Sequence, residues 1–96
     1  MKLEIERKLK EQLHKYPDVS PGGHRWDKVI EATLAEYRAG PEPAKAELLE
    51  LRYIQGLPQE QVMEKLFVGK GTYWKWKREV FCTLGMKAAY AHLIQP

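Results

Sequence analysis

The sequence predicts an all-α domain, and three observations support that fold class. Apolar residues recur at three- and four-residue spacing along most of the chain, which is the period of an amphipathic helix and not of a strand. Proline and glycine interrupt this pattern at residues 17–23, 40–43 and 56–58, where we expect loops. The chain has 96 residues, of which 44% are hydrophobic, and this is enough for one domain around a single core.

The first two helices are predicted over residues 1–16 and 25–39. Pro17 ends the first helix, because a residue that precedes proline avoids the α conformation. The apolar side of the first helix consists of Ile5, Leu9, Leu13 and Tyr16. The apolar side of the second consists of Trp26, Val29, Ile30, Leu34 and Tyr37. We expect residues 1–40 to form an N-terminal helical hairpin that packs on residues 44–96 within one compact domain.

A third helix is predicted over residues 44–55, and it carries apolar residues on two faces. Leu48 and Leu51 lie on one face, whereas Leu49 and Tyr53 lie on another. A helix with two apolar faces is packed by neighbours from two directions. We therefore expect this helix to lie between the N-terminal hairpin and the C-terminal part of the chain.

Residues 59–84 are predicted to form a short helix, a tight turn and a longer basic helix that starts near Gly71. The short helix and the turn bury Val62, Met63, Leu66 and Val68. The longer helix buries Tyr73, Trp76, Val80 and Leu84. Gly85 is expected to end or bend it before further helix over residues 86–94. Together with the third helix, this order is typical of a trihelical helix-turn-helix, whose second helix enters the DNA major groove.

Positive charge is concentrated in the last third of the chain. Residues 67–96 hold five of the 16 basic residues but one of the 13 acidic residues, whereas the rest of the chain mixes both signs. Residues 70–78 contain four bases and no acid. A local basic face of this kind suits binding to a groove or to phosphates. The residues predicted to contact DNA are Gln59, Lys70, Gly71, Thr72, Trp74, Lys75, Lys77 and Arg78.

The individual roles within this set stay open at the level of sequence. Lys75 and Arg78 are suited either to guanine edges or to phosphates. Lys77 is turned partly toward the core, so it is a phosphate contact or a side chain that packs its aliphatic stem. Gln59 stands at a helix N-terminus, which suits a phosphate.

Trp74 has three alternative roles in the sequence. It lies about 200° around the helix from Trp76, so the two indoles do not share one core. Trp74 either packs with Phe81 under the N-terminal hairpin, forms a homodimer contact, or touches DNA. A homodimer through Trp74 and Phe81, or through the N-terminal helices, is therefore one of the partners that we consider.

Residues 44–91 resemble a known class of DNA-binding domain. The segment 48–66, through its Leu51-Arg52-Tyr53 and Gly56-Leu57 steps, resembles the start of the promoter-reading region four of bacterial sigma factors. The segment 71–79 is similar to the last helix of ArpU- and RinA-type phage regulators. This resemblance implies a phage or prophage regulator of late-gene transcription. It also implies a structural role for Arg52, for which we expect an ion pair with Glu64 or Glu60.

The sequence departs from those families at three positions. Met63 stands where they place a small residue, Phe67 where they favour glycine, and Gly69 where they favour a serine or threonine cap. We expect the bulky pair Met63 and Phe67 to widen the crossing of the two helices. Gly69 still permits the helix to begin, at a small loss relative to serine.

The sequence contains no set of residues at the spacing that known catalytic or metal sites require. The three histidines have no partners at metal-ligand distance along the chain, and Gly69-Lys70-Gly71-Thr72 lacks the rest of a phosphate-binding loop. The single cysteine, Cys82, excludes an internal disulfide and is typical of a reducing cytoplasm. No apolar segment is long enough for a membrane helix or a secretion signal. We expect a cytoplasmic protein of the bacterial host cell that is not an enzyme and needs no cofactor.

The resulting hypothesis is a sequence-specific, double-stranded DNA-binding transcriptional regulator. Two alternatives use the same fold. One is a DNA-packaging adaptor that resembles a small terminase subunit, and the other is a sigma-like module that binds RNA polymerase. The sequence leaves open the operator, the sign of regulation and the oligomeric state.

Overall fold

The computed structural model describes residues 3–94, and within this range all regular structure is helical. The α-helices are α1 (Leu3–Lys15), α2 (Gly23–Ala39), α3 (Ala44–Leu49), α4 (Gln59–Leu66) and α5 (Lys70–Tyr90). A π-helical segment, Glu50–Ile54, continues α3 without a break and is called the π segment below. The predicted all-α fold class is confirmed. Residues 1–2 of the predicted first helix and residues 95–96 of the predicted C-terminal region lie outside the described range.

The two N-terminal helices pack on different faces of α5. α1 contacts α5 and the π segment, whereas α2 contacts α3 and α5. On the α2 side, the hydroxyl groups of Tyr37 and Thr83 lie 2.7 Å apart, and Lys87 pairs with Glu36 at 3.1 Å. On the α1 side, Lys77 approaches Glu6 at 3.9 Å. α5 is therefore held from two sides, and this contact pattern determines which of its residues reach solvent.

One hydrophobic core joins all five α-helices. Its fully buried side chains include Leu9, Leu13, Ile30, Leu48, Leu49, Val62, Tyr73, Val80 and Leu84. The predicted burial of Tyr73, Val80 and Leu84 is confirmed, but Trp76 is half-buried, so its assignment to the core interior was wrong. Trp76 lies about 60° around the helix from Tyr73, at the rim of the buried face.

α5 does not end or break at Gly85, which corrects the predicted boundary. The helix continues to Tyr90, and Gly85 itself is buried. Leu84 and Ala88, on either side of it, are also buried. Packing of these neighbours outweighs the cost of about 1 kcal/mol for glycine in a helix interior.

The turn between α4 and α5 contains a bulky residue in a left-handed conformation. Phe67 has φ 56° and ψ 44°, and its side chain is 94% exposed. The N–H of Val68 donates to the carbonyl of Met63 at 3.1 Å, and the N–H of Phe67 donates to that of Glu64 at 3.3 Å. These two bonds form the Schellman motif, in which glycine is the usual left-handed residue. Phe67 therefore satisfies the hydrogen bonds but carries the steric cost that glycine avoids.

α4 packs mainly on α3 and on the π segment. Met63, in the middle of α4, is half-buried against the core. The expectation that Met63 and Phe67 together widen the crossing of the two helices is wrong for Phe67, because its side chain lies in solvent and not between them. Gly69 has an extended backbone, and its carbonyl accepts the N–H of Tyr73 at 3.0 Å, so α5 begins at Lys70.

We predict that Phe67→Gly stabilises the protein by about 0.5–1 kcal/mol, because relief of the left-handed strain exceeds the added entropy of the unfolded chain. Urea unfolding measures the change as a higher midpoint at constant slope. Phe67→Ala is the matched control, since it removes the exposed ring but keeps the Cβ atom. If both variants shift the midpoint equally, the backbone conformation is not the cause.

We predict that Tyr73→Ala destabilises the protein by about 3–5 kcal/mol, because it empties a fully buried site. Trp76→Ala should cost less, about 1–3 kcal/mol, because its side chain is half-buried. Thermal and urea unfolding of the two variants provide the comparison. A larger loss for Trp76→Ala would contradict the assignment of Tyr73 to the centre of the core.

Candidate nucleic-acid interface

The first turns of α5 present a basic strip to solvent. We use this name for Lys70, Gly71, Thr72, Lys75 and Arg78, all of which are exposed. Gly71, Lys75 and Arg78 follow one another at helical spacing, so they lie on a single face. The opposite face of the same turns is closed by Tyr73, which is 1% exposed. The strip therefore faces solvent and does not line the core.

The single acidic residue of α5, Glu79, is paired with a lysine of α3. Lys45, on α3, is buried, and its amino group donates hydrogen bonds to Glu42 at 2.8 Å and to Glu79. The hydrogen bond from Lys45 holds the pKa of Glu79 below its usual range. Burial lowers the pKa of Lys45, but its bonds to Glu42 and Glu79 outweigh this effect and raise that pKa above the ordinary value. Lys45 therefore offsets part of the negative charge of Glu79 from the α3 side, and the charges of Lys75 and Arg78 also act on Glu79.

Trp74 and Phe81 occupy different environments. Trp74 is 42% exposed, whereas Phe81 is 3% exposed and meets the ring of Tyr53 edge-on at 5.0 Å. The alternative in which both pack under the N-terminal helices is wrong for Trp74, because much of its indole is exposed. Phe81 offers little surface to a second copy, so a homodimer contact at this place would use mainly Trp74 and stays a prediction.

Lys77 does not belong to the basic strip. Its side chain is 14% exposed, and its amino group lies 4.3 Å from the centre of the Trp74 ring. Burial, and then the nearby charge of Lys10, hold the pKa of Lys77 below its ordinary value. The only carboxylate near it in the described chain is that of Glu6, at 3.9 Å. Lys77 is therefore a partly desolvated cation that faces α1.

Gln59 and Lys77 both line a cleft between α1 and the C-terminal helices. This α1 cleft has a volume of about 600 Å³ and lies between α1, the π segment, the start of α4 and the first turns of α5. Its basic side chains are Arg7, Lys10, His14, Arg52 and Lys77. Its aromatic walls are Tyr53, Tyr73 and Trp74.

Three of these basic residues, Arg7, Lys10 and His14, were not predicted from the sequence to belong to a site. Arg7, Lys10 and His14 are spaced by three and then four residues, so they form a stripe on one face of α1. That spacing was available in the sequence as a signal, but the interleaved acids of α1 obscured it. Arg52 was noticed and given a different role.

The expected ion pair between Arg52 and Glu64 or Glu60 is not formed. The guanidinium of Arg52 instead lies 5.4 Å from the centre of the Tyr53 ring and donates to the carbonyl of Leu57 at 3.4 Å. Arg52 belongs to the π segment, and its side chain lines the cleft together with Gln59 of α4. Within residues 3–94, no carboxylate lies within ion-pair distance of Arg52.

Comparison with protein families, curated proteins and solved structures finds no match to this chain. Between residues 3 and 94, no helix is long and apolar enough to cross a membrane, and no group of three or more histidine, cysteine, aspartate or glutamate side chains could hold a metal ion. The described chain therefore offers two candidate binding surfaces, the basic strip and the α1 cleft.

We predict that Glu79→Gln lowers the free energy of unfolding at neutral pH, because it leaves buried Lys45 with one carboxylate partner. The folded-state pKa of Glu79 lies below its unfolded value. The stabilisation is therefore fully present above the ordinary glutamate pKa of about 4.3 and is lost as pH falls through the lower, folded-state pKa.

Urea unfolding of the wild type and Glu79→Gln between about pH 3 and pH 7 tests this dependence. The difference between the two proteins should shrink toward acid pH. Glu47→Gln, at an exposed position of α3, is the control and should change little. A difference that is constant with pH would contradict a role for ionised Glu79.

Proposed function

We propose that this protein binds double-stranded DNA in a sequence-specific manner and regulates transcription. In this proposal α4, the turn at residues 67–69 and α5 act as a helix-turn-helix, and α5 enters the major groove. The observation that carries the proposal is the basic strip. Lys75 and Arg78 share an exposed face of α5, and Lys70 is exposed at the start of the same helix. The one acid of α5 is paired with a lysine of α3. The resemblance of residues 44–91 to sigma region four supports the same proposal and favours a phage or prophage regulator.

The shape of the strip suits the major groove. An α-helix with its side chains is about 10–12 Å across, which matches a groove of about 12 Å. Gly71 and Thr72, in the first turn of α5, are small and exposed, so they permit close approach of the backbone to DNA. Lys75 and Arg78 then reach base edges or the flanking phosphates.

A module of this size needs a second source of affinity. One recognition helix contacts few base pairs, and tight operator binding then requires a second copy or a second protein on the DNA. RNA polymerase is the partner that the sigma-like resemblance favours. A packaging adaptor would instead bind DNA as a ring-shaped oligomer, so solution mass separates the two functions.

We predict salt-dependent binding to duplex DNA. Three or four phosphate contacts by the basic strip give a plot of log binding constant against log salt with a slope of about −3 or steeper, since each contact contributes about −0.9. Fluorescence anisotropy with a duplex selected from a random pool measures it. No binding at low salt, or a slope near zero, would overturn the DNA-binding proposal.

We also predict that Lys75→Ala combined with Arg78→Ala flattens this slope by about 2 and weakens binding. Both residues are exposed, so the free energy of unfolding should stay within about 0.5 kcal/mol of the wild type. The control is Lys8→Ala combined with Lys28→Ala, which removes the same charge from exposed positions on α1 and α2. An equal loss in both pairs would show that net charge alone, and not the strip, governs binding.

A further inference from the structure

The α1 cleft concentrates positive charge that the protein itself leaves largely unpaired. Arg7, Lys10, Arg52 and Lys77 line it, whereas Glu11 is the one acid among its lining residues. Glu6 lies at its edge, and it is shared between Lys10 at 3.4 Å and Lys77 at 3.9 Å. One carboxylate that serves two lysines does not neutralise the cleft.

The burial of Lys77 makes this imbalance costly. A buried ammonium group is normally paired or hydrogen-bonded, because desolvation penalises an isolated charge. The amino group of Lys77 lies 4.3 Å from the centre of the Trp74 ring and 3.9 Å from the carboxylate of Glu6. The pKa of Lys77 is lowered for the same reason, since burial and the charge of Lys10 both disfavour its protonated form. An anion in the cleft would relieve this cost.

Arg52 supplies hydrogen-bond donors on the opposite wall. Its guanidinium has five N–H groups, of which one donates to the Leu57 carbonyl at 3.4 Å, and it also lies near the hydroxyl of Tyr73, where it acts against the raised pKa of that tyrosine. The π segment that carries Arg52 interrupts the regular ladder of α3, and π-helical turns of this kind often occur at functional sites. The remaining donors of Arg52 are geometrically suited to a phosphate, which accepts paired N–H bonds.

The cleft opens at the N-terminal end of α4, which identifies the source of the phosphate. Gln59, the first residue of α4, lines the cleft together with Trp74 of α5. In a helix-turn-helix the first helix crosses the DNA backbone, and its N-terminus points at phosphates. The strand that flanks a major groove occupied by α5 therefore passes the mouth of the cleft.

We propose that the α1 cleft binds phosphodiester groups of the same DNA duplex, so that Arg7 and Lys10 of α1, with Arg52 and Lys77, form a second contact beside the recognition helix. This inference rests on the proposed function and deepens it. It turns the N-terminal helix, which lies outside the sigma-like resemblance, from a packing element into part of the DNA interface. It also supplies some of the affinity that one recognition helix lacks.

The test compares two double variants of α1 in the duplex titration. Arg7→Ala with Lys10→Ala removes two cations from the cleft, and Lys8→Ala with Lys15→Ala removes the same charge from exposed positions of the same helix that do not line the cleft. The cleft contributes about two phosphate contacts, so the wild-type slope should be about −5 and should fall to about −3 in the cleft variant. We expect the Lys8→Ala, Lys15→Ala variant to keep the wild-type slope, and the cleft variant to lose about tenfold or more in affinity at moderate salt. Urea unfolding establishes that both variants are folded.

Three outcomes overturn the inference, and they are distinguishable from one another. If the two α1 variants have equal slopes and only Lys75→Ala with Arg78→Ala flattens the plot, the cleft does not touch DNA and the proposed function stands. If the wild type shows no salt-dependent duplex binding, both proposals fail. If dAMP binds saturably without DNA, depends on Arg7 and Lys10, and leaves the DNA slope unchanged, the phosphate belongs to a free nucleotide and not to the duplex.

Discussion

The surface chemistry of this protein depends on the burial of one side of α5. Tyr73, Val80 and Leu84 are essentially inaccessible to solvent, and α5, which carries them, packs against α1, α2 and α3. Burial of each such side chain contributes roughly 1.5–3 kcal/mol to the free energy of unfolding. Rotation of α5 about its axis would expose several of these side chains at once and lose their contributions. The burial of these side chains therefore keeps Lys75 and Arg78 on the outside, because the two faces belong to one rigid helix.

The separation of charge follows from the same packing. Because α3 lies against α5, the buried amino group of Lys45 reaches Glu79 and balances it on the protein side. Because α1 lies against the other flank, Lys77 is drawn away from the basic strip and into the cleft. Four bases that are adjacent in sequence, between residues 70 and 78, are thus divided between an open face and a partly enclosed one.

The sequence predicted the helices well and the side-chain partners poorly, for a physical reason. Helical periodicity, proline and glycine reflect local energetics, so the segments around α1, α2 and α4 were placed correctly to within a few residues. Gly85 and the π segment depend on tertiary packing, which local propensity does not contain. The predicted partner of Arg52 was wrong because a π turn rotates the side chain around the helix, and no spacing rule anticipates that change. The cleft was missed because it exists only where α1 meets the π segment and α5, three regions that are distant in sequence.

Several features that oppose stability lie in the turn before α5 and in the first turns of that helix. Phe67 adopts a left-handed conformation and exposes its ring, Trp74 leaves much of its indole in solvent, and Lys77 is desolvated beside other cations. Phe67, Trp74 and Lys77 all belong to the turn and to the first turns of α5, whereas the core beyond Val80 is regular and well packed. Natural sequences depart from stable local choices mainly where function requires it. The same segment carries the basic strip and borders the cleft, so these unfavourable choices coincide with the surfaces for which a function has been proposed.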